Sequence, residues 1–592
     1  MKNKTILNNI DCPNDLKKLK INNLKKLAQE IRNKIIDHDS NNGGHVGANL
    51  TTVDFTIALH YVINSPKDKI IWDVGHQIYT HKMLTGRNKR YDSIYKYKGL
   101  DGFPRRCESE HDAWDSGHSS IAVSAATGIY EALKLSKKKN QVYAVVGDGC
   151  FSGGLTFEGL NNAGFLKSNL CIILNDNNMF ISNAVGALSN HLKNIKKTKQ
   201  KENFFTTLGF KYFGPIDGHN MKELIQIFKK TKNITGPKII HIITQKGKGY
   251  IHAEKHQDIF HGCGPFDITT GKQKFVNEIN TYTKIFGKTL TKLATTDKKI
   301  VAITPAMRLD TGLLEFSKKF PKRFFDVGIA EAHAITFASG LATQKMKPFI
   351  TTHSSFMQRS FDQLVFDAGF QNLPIKIGLS NSGLDGYDGP THHGILDISF
   401  MRMIPNFVIM APKDENELQH MIKTMAEYNK GPISVRYPEG EGLGVKIDNQ
   451  LKQIEIGKSE ILEQGKDLVI IALGTMVNES IKAKEKLNKI GIFPTIINAR
   501  FAKPIDKKTI LLEAKKTKKV ITVEENSLIG GFGEEVAKII RESKISVKLI
   551  NIGIPDKFIN QGEVSILRKI TKCDSNNIFK EAVKLVRSDL NG

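Results

Sequence analysis

The 592-residue chain is short of three things, and each shortage narrows its class. Its 6 cysteines (Cys12, Cys107, Cys150, Cys171, Cys263 and Cys573) fall neither in pairs nor at metal-ligand spacing. That excludes a disulfide scaffold and fits a reducing, cytosolic setting. No apolar run approaches the roughly 20 residues of a membrane-spanning helix. The segment Met1 to Lys20 is polar and lysine-rich, without the apolar stretch of a signal peptide. A soluble, cytoplasmic protein is expected. Acidic residues are scarce too, 60 against 86 lysines and arginines, for a net charge of +26. Such a balance invites a nucleic-acid partner. The lysines, however, are scattered along helical segments and tails, accompany heavy asparagine use, and are densest at Lys193 to Lys201, a stretch that reads as mobile. Solvated lysine faces are the better reading, with a positive field that favours small anionic substrates.

What is present is strand and helix in alternation. The length exceeds one core, so about three domains are expected, with boundaries at 1–278, 279–452 and 453–592. Apolar runs suggest strands at Ile70 to Asp73, Val142 to Val146, Leu170 to Leu174 and Lys238 to Ile243. Further runs lie at Ile300 to Ile303, Phe324 to Val327, Pro348 to Thr352, Ile375 to Leu379, Phe407 to Met410 and Ile433 to Val435. The last part adds Leu468 to Leu473, Pro494 to Asn498, Val520 to Val523 and Val547 to Ile550, with no dense polar constellation. Helical patterns open the chain at Leu16 to Asp37 and Thr52 to Tyr61, and the polar passage Ala253 to Lys274 reads as a boundary with few apolar pairs. Short β-rich runs separated by helices predict parallel sheets of the α/β class.

The stretch from Val142 to Asn177 carries the chemistry. One strand breaks at Gly147-Asp148-Gly149, a helix follows, and the next strand ends at Asn175-Asp176-Asn177. In a βαβ unit both polar clusters reach the carboxyl edge of the sheet, where open α/β sheets bind ligands. Asp148 and Asn177 offer hard oxygen ligands that suit Mg²⁺ on a diphosphate. A plain glycine turn with a capping aspartate would look the same at Asp148 alone. Three histidines, His45, His76 and His118, each follow a glycine in a loop. Together they point to proton chemistry or phosphate contact.

These motifs, with Asn177 standing 29 positions after Asp148, resemble the signature of thiamine diphosphate enzymes. The resemblance narrows through Gly43-Gly44-His45, Trp72-Asp73-Val74-Gly75-His76-Gln77, Gly117-His118-Ser119-Ser120, Gly247-Lys248-Gly249-Tyr250, Ile329-Ala330-Glu331, Gln358-Arg359, Asp388-Gly389-Pro390-Thr391-His392 and Val435-Arg436-Tyr437-Pro438. In that order, over essentially the whole chain, they are similar to the 1-deoxy-D-xylulose-5-phosphate synthase family. The resemblance implies three doubly wound domains of the transketolase-like type, a homodimer, and condensation of pyruvate with glyceraldehyde 3-phosphate. It implies thiamine diphosphate lined by His76, Gly117, His118, Ser119, Gly149, Cys150, Asn177 and Tyr250, with Mg²⁺ on Asp148, Asn177 and the Met179 carbonyl. Glu331 would hydrogen-bond the aminopyrimidine ring and share a proton with it. His45 and His392 are candidates for proton transfer, with Asp388 and Arg359 in the catalytic set. Arg436, Arg359, His353, Asn381 and His392 would face the acceptor.

The acceptor residues depart from the family. An arginine is expected where Asn381 stands, a tyrosine at His353, an arginine at Glu439 and a glutamine at Ala332. A charged hydrogen bond to phosphate contributes about 1.5–3 kcal/mol, so losing one arginine lowers affinity about ten- to a hundredfold. Two readings stay open: Arg436, Arg359 and a protonated His353 still hold the phosphate, or the acceptor is a different aldehyde. A transketolase with ketose donors fits the motifs around His76 and His118 less well. A non-catalytic paralogue is opposed by Glu331, Asp148, Asn177 and His45 standing at their expected positions.

Overall fold

The computed structural model describes residues 5–179, 184–198, 202–274 and 279–587. The chain divides into two compact units, Met1–Val276 with Gly328–Ala330, and Asn277–Val327 with Glu331–Gly592.

In the first unit, β1 (Lys69–Trp72), β2 (Val142–Gly147), β3 (Leu170–Asp176), β4 (Lys211–Asp217) and β5 (Lys238–Ile243) form one parallel sheet in the order β1-β2-β3-β5-β4. Successive side chains of a strand point to opposite faces, and β2 shows where they go. Val142, Ala144 and Val146 pack with Val123, Leu160 and Phe205 on one side. Tyr143 and Val145 pack with Leu50, Phe55 and Leu224 on the other. Both faces are therefore covered, the arrangement that lets a continuous apolar run be a strand. It leaves only the strand ends for polar work.

The second unit holds β6 (Ile300–Thr304), β7 (Phe324–Asp326), β8 (Lys347–His353), β9 (Lys376–Ser380), β10 (Val408–Met410), β11 (Ile433–Arg436), β12 (Glu460–Glu463), β13 (Leu468–Ala472), β14 (Pro494–Asn498), β15 (Phe501–Lys503), β16 (Lys519–Ser527) and β17 (Lys548–Ile554). They make a seven-stranded sheet, β15-β10-β11-β9-β8-β6-β7, and a five-stranded sheet, β12-β14-β13-β16-β17. One core joins the two sheets: Ile303, Ile350 and Ile377 share it with Val469, Ile471 and Val520. Each such buried side chain contributes about 1.5–3 kcal/mol, so the sheets hold each other through many of them. The opposite faces have their own cores, around Phe349 and Val435 for the larger sheet and around Ile470 and Ile521 for the smaller.

The expected strands are present, and the class is α/β with parallel, helix-covered sheets. Several expectations need correction. The first helical pattern is two helices, Pro13–Lys17 and Ile21–Asn42, because the short first one ends before Lys20 adopts an extended backbone. The Lys193 to Lys201 stretch is helical through Thr198, within Ala187–Thr198; residues 199–201 lie outside those described. Leu192 and Ile195 are buried there, and Lys196 pairs with Asp176 at 3.0 Å, so the charge run is an amphipathic helix with one anchored lysine. The Ala253 to Lys274 passage is tied into the core by Ala253, Phe260 and Phe266. Strand β15 went unread because its pairing to β10 is antiparallel, short and long-range. The last segment is also richer in charge than expected: Glu417, Lys413, Arg500, Glu460 and Asn498 form one network.

Candidate active site

The cradle in the first unit forms where β2 and β3 end. Gly147 gives way to the tight turn Asp148–Ser152, and the helix Gly154–Phe165 starts directly after it. Gly153 is required there, since a Cβ would sit 2.2 Å from Ser120 Oγ. Asp148 is buried, and its Oδ1 accepts the Gly149 N–H at 3.1 Å. Burial, then the charge of Asp176, pushes the Asp148 carboxyl well up. Asp176 itself is held low against its burial by His241 at 2.9 Å and Lys196 at 3.0 Å. On the neighbouring strand end, Asn177 Oδ1 accepts the Met179 N–H at 3.0 Å. One carboxylate, one amide oxygen and one backbone carbonyl form a hard-oxygen donor set that could take a magnesium ion, with phosphate and water completing its shell. A divalent cation would also relieve the strained ionisation of Asp148. The residues fit that group.

The flanking loops are fixed by buried polar contacts. Asp73 accepts the backbone N–H groups of Ser120 at 2.6 Å and Ala122 at 2.9 Å, which seats Gly117-His118-Ser119 at the start of the helix Ala122–Leu135. The Ser120 hydroxyl donates to the Cys150 carbonyl at 2.9 Å and ties that loop to the cradle. Tyr250 is buried against Phe260 and Phe266, with its hydroxyl donating to the Ile268 carbonyl at 2.9 Å. Its loop reaches the His45 helix through Gly247 N–H, which donates to the Gly47 carbonyl at 3.1 Å.

His45 stands just before the helix Val46–Val62, its ring 5.3 Å from that of His76 and 5.9 Å from that of His261. Asn49, fully buried one turn into that helix, donates to the carbonyls of His45 at 2.9 Å and His76 at 2.8 Å and accepts the Tyr79 N–H at 2.9 Å. His261 is driven well down by burial and then by Lys246, whose Nζ lies 3.1 Å from its Nδ1. Asn49, Tyr79, Tyr95, Lys246 and His261 were not singled out from sequence. Only their position beside the glycine–histidine motifs could have marked them.

In the second unit Glu331 is the first residue of the helix Glu331–Thr343, a position the helix dipole favours for a carboxylate. It is 5 % exposed, and burial raises its pKa against the opposing charge of Arg359, whose Nη1 lies 3.9 Å away. A carboxyl so placed holds a proton more readily than usual and can share it.

The acceptor candidates divide into three groups. His353, at the end of β8, stacks on Phe356 at 5.2 Å, and Phe356 meets His392 edge-on at 5.4 Å. Burial, then His392, lowers His353 to about 3, so the ring is neutral here and not the protonated group expected from sequence. Asn381 takes a positive φ of 52° and donates to Asp385 Oδ1 at 2.8 Å. Crowding by protein, and then the charges of Asp385, Asp388 and Asp310, push the Glu439 carboxyl far up although its side chain reaches the surface. Asp385 is raised in the same way, by burial and then Asp388. Arg436, by contrast, is buried. Its Nε donates to Asp397 at 2.8 Å and its Nη2 to the carbonyls of Gly394 at 3.1 Å and Glu525 at 3.3 Å.

Helix-covered parallel sheets, a glycine-and-aspartate cradle ending paired strands and a raised helix-start glutamate define a thiamine diphosphate enzyme of the transketolase type. Three family profiles match along the chain: 1-deoxy-D-xylulose-5-phosphate synthase over residues 7–204 and 193–244, the transketolase pyrimidine-binding domain over 279–442, and the transketolase C-terminal domain over 457–578. Proteins named 1-deoxy-D-xylulose-5-phosphate synthase are similar end to end. That of Halothermothrix orenii is 47% identical, covering 98% of this chain and 97% of its own. The synthase 1 of Geobacter sulfurreducens is 45% identical over 97% and 96%, and the synthase of Heliobacterium modesticaldum 43% over 99% and 96%. The chain belongs to the 1-deoxy-D-xylulose-5-phosphate synthase family.

Proposed function

We infer that this chain condenses pyruvate with glyceraldehyde 3-phosphate to give 1-deoxy-D-xylulose 5-phosphate and CO2, supplying isoprenoid precursors. The observation that carries the reading is the end-to-end match, at 47% identity, to a protein bearing that activity's name.

Thiamine diphosphate, when bound, supplies the carbon nucleophile and the electron sink. The protein's own contribution is orientation and charge. Asp148, Asn177 and the Met179 carbonyl would hold Mg²⁺ on the diphosphate, with Gly117, His118, Ser119, Gly149, Cys150, His76 and Tyr250 around the cofactor. The raised Glu331 would hydrogen-bond the aminopyrimidine and exchange a proton with it, with Arg359 holding the carboxyl in place. His45 and His392 would move protons at the acceptor carbonyl and the product oxygen, with Asp388 beside them. We also propose the division 1–278, 279–452 and 453–592, a cytoplasmic location and a homodimer. Among the described residues no helix is long and apolar enough to cross a membrane, which is compatible with that location.

One observation favours a second reading of the acceptor. Asn381, Asp385, Asp388 and Glu439 make an acidic neighbourhood that does not suit a phosphate dianion. The second reading keeps pyruvate decarboxylation and passes the two-carbon unit to an uncharged aldehyde. Supplying pyruvate, cofactor and Mg²⁺ with glyceraldehyde 3-phosphate or with neutral aldehydes separates the two. Faster turnover of the neutral acceptors, without deoxyxylulose phosphate, would overturn the first.

A further inference from the structure

We propose that Tyr95 is a positioning residue for His45, fixing its neutral imidazole as the tautomer that carries the proton on Nε2. The inference rests on the reading of His45 as a proton-transfer group. The Tyr95 hydroxyl lies 2.7 Å from His45 Nδ1. The Tyr79 hydroxyl donates to the Tyr95 oxygen at 2.8 Å, and the His45 backbone N–H donates to the Tyr79 oxygen at 3.3 Å. A backbone N–H can only donate. Its proton therefore sets the direction of the ring: His45 N–H to Tyr79, Tyr79 O–H to Tyr95, and Tyr95 O–H to His45 Nδ1. Each hydroxyl in such a cycle both accepts and donates, which strengthens its neighbours. Nδ1 is then an acceptor, and the neutral ring keeps its hydrogen on Nε2.

The surroundings hold Tyr95 in that role. Its backbone has a positive φ of 65°, uncommon for a bulky residue, and its N–H donates to the Leu100 carbonyl at 2.9 Å. Gly102 lies flat against the ring: a Cβ there would meet Tyr95 Cε1 at 2.1 Å. Tyr79 is fully buried with its N–H on Asn49, and Phe103 meets the His45 ring edge-on at 6.0 Å. The Nε2 side passes Gly262, where a Cβ would come within 3.6 Å of that nitrogen. Neutral His45 is thus a hydrogen-bond donor through Nε2, able to give a proton to a developing oxyanion. Its Nδ1 is reserved for the tyrosine.

The test uses the full-length holoenzyme with ¹⁵N-labelled histidine, His45 being assigned by difference against His45→Gln. In the wild type Nδ1 resonates as an unprotonated, hydrogen-bonded nitrogen and Nε2 as the protonated one. Tyr95→Phe shifts His45 toward a tautomer mixture and lowers kcat about tenfold, with KM for pyruvate within about twofold. Tyr79→Phe, one bond removed, gives the same spectral shift with a smaller loss, and guards against a fold defect in the first variant. A wild-type His45 protonated on Nδ1 would overturn the proposal, as would Tyr95→Phe with unchanged spectrum and kcat while His45→Gln is inactive. Full activity in His45→Gln would instead overturn the reading of His45 on which the proposal rests.

Discussion

Arg436 and Asp397 form a buried ion pair, with the arginine Nε 2.8 Å from Oδ2 and both side chains almost fully covered. The arginine expected on the acceptor phosphate is therefore anchoring the end of β11 to the helix Asp397–Arg402. Removing one partner of such a pair strands the other charge and costs about 3–5 kcal/mol. Arg436→Met is expected to lower the melting temperature sharply, and Arg436→Met with Asp397→Leu to recover much of the loss. A stable Arg436→Met whose only defect is a raised KM for the phosphorylated acceptor would assign the residue to substrate instead.

Asn49 satisfies two carbonyls and one N–H around the histidine loops from a fully buried position. Asn49→Ala leaves those groups without it, at about 1–3 kcal/mol for each buried unmet group. The variant is expected to lose several kcal/mol in denaturant unfolding. A melting curve indistinguishable from the wild type would contradict the role.

Glu331 couples activity to pH. Its folded pKa is raised, so the folded chain binds this proton more tightly than the unfolded one. The group therefore costs stability as pH rises from the ordinary glutamate range through the raised value. Glu331→Gln lacks that cost and is expected to melt at or above the wild-type temperature at pH 8, with the gap closing at pH 4. Its CO2 release from pyruvate should fall about a hundredfold or more, as for loss of a proton-transfer group. Retained turnover would remove Glu331 from the chemistry.

Much of the first unit was legible from sequence because β2 and β3 are continuous apolar runs that break at glycine, aspartate and asparagine. Period and punctuation alone place Asp148 and Asn177 on one sheet edge. The histidines were marked by the glycines before them. What escaped is long-range. Tyr95 reaches His45 across 50 positions and Arg436 reaches Asp397 across 39, and no periodicity encodes such contacts. The Lys193 to Lys201 run misled because charge density was weighed above the Leu192 and Ile195 spacing. His353 was expected to be charged because its loss of solvent is a tertiary property.

The acidic neighbourhood of Glu439 gives a prediction about the acceptor. Glu439→Arg would place a cation beside Asp385 and Asp388, and one such charge near the surface is worth about 1–2 kcal/mol to a phosphate. KM for glyceraldehyde 3-phosphate should fall about tenfold, less at high salt, with KM for pyruvate unchanged. An unaltered KM would mean that this cluster does not face the acceptor's phosphate.

The most direct measurement follows both products from the purified full-length protein given thiamine diphosphate, Mg²⁺, pyruvate and glyceraldehyde 3-phosphate. Equimolar CO2 and 1-deoxy-D-xylulose 5-phosphate, with both lost in Asp148→Ala, is the expected result. CO2 without deoxyxylulose phosphate, or neither product from a folded and cofactor-loaded protein, would contradict the account.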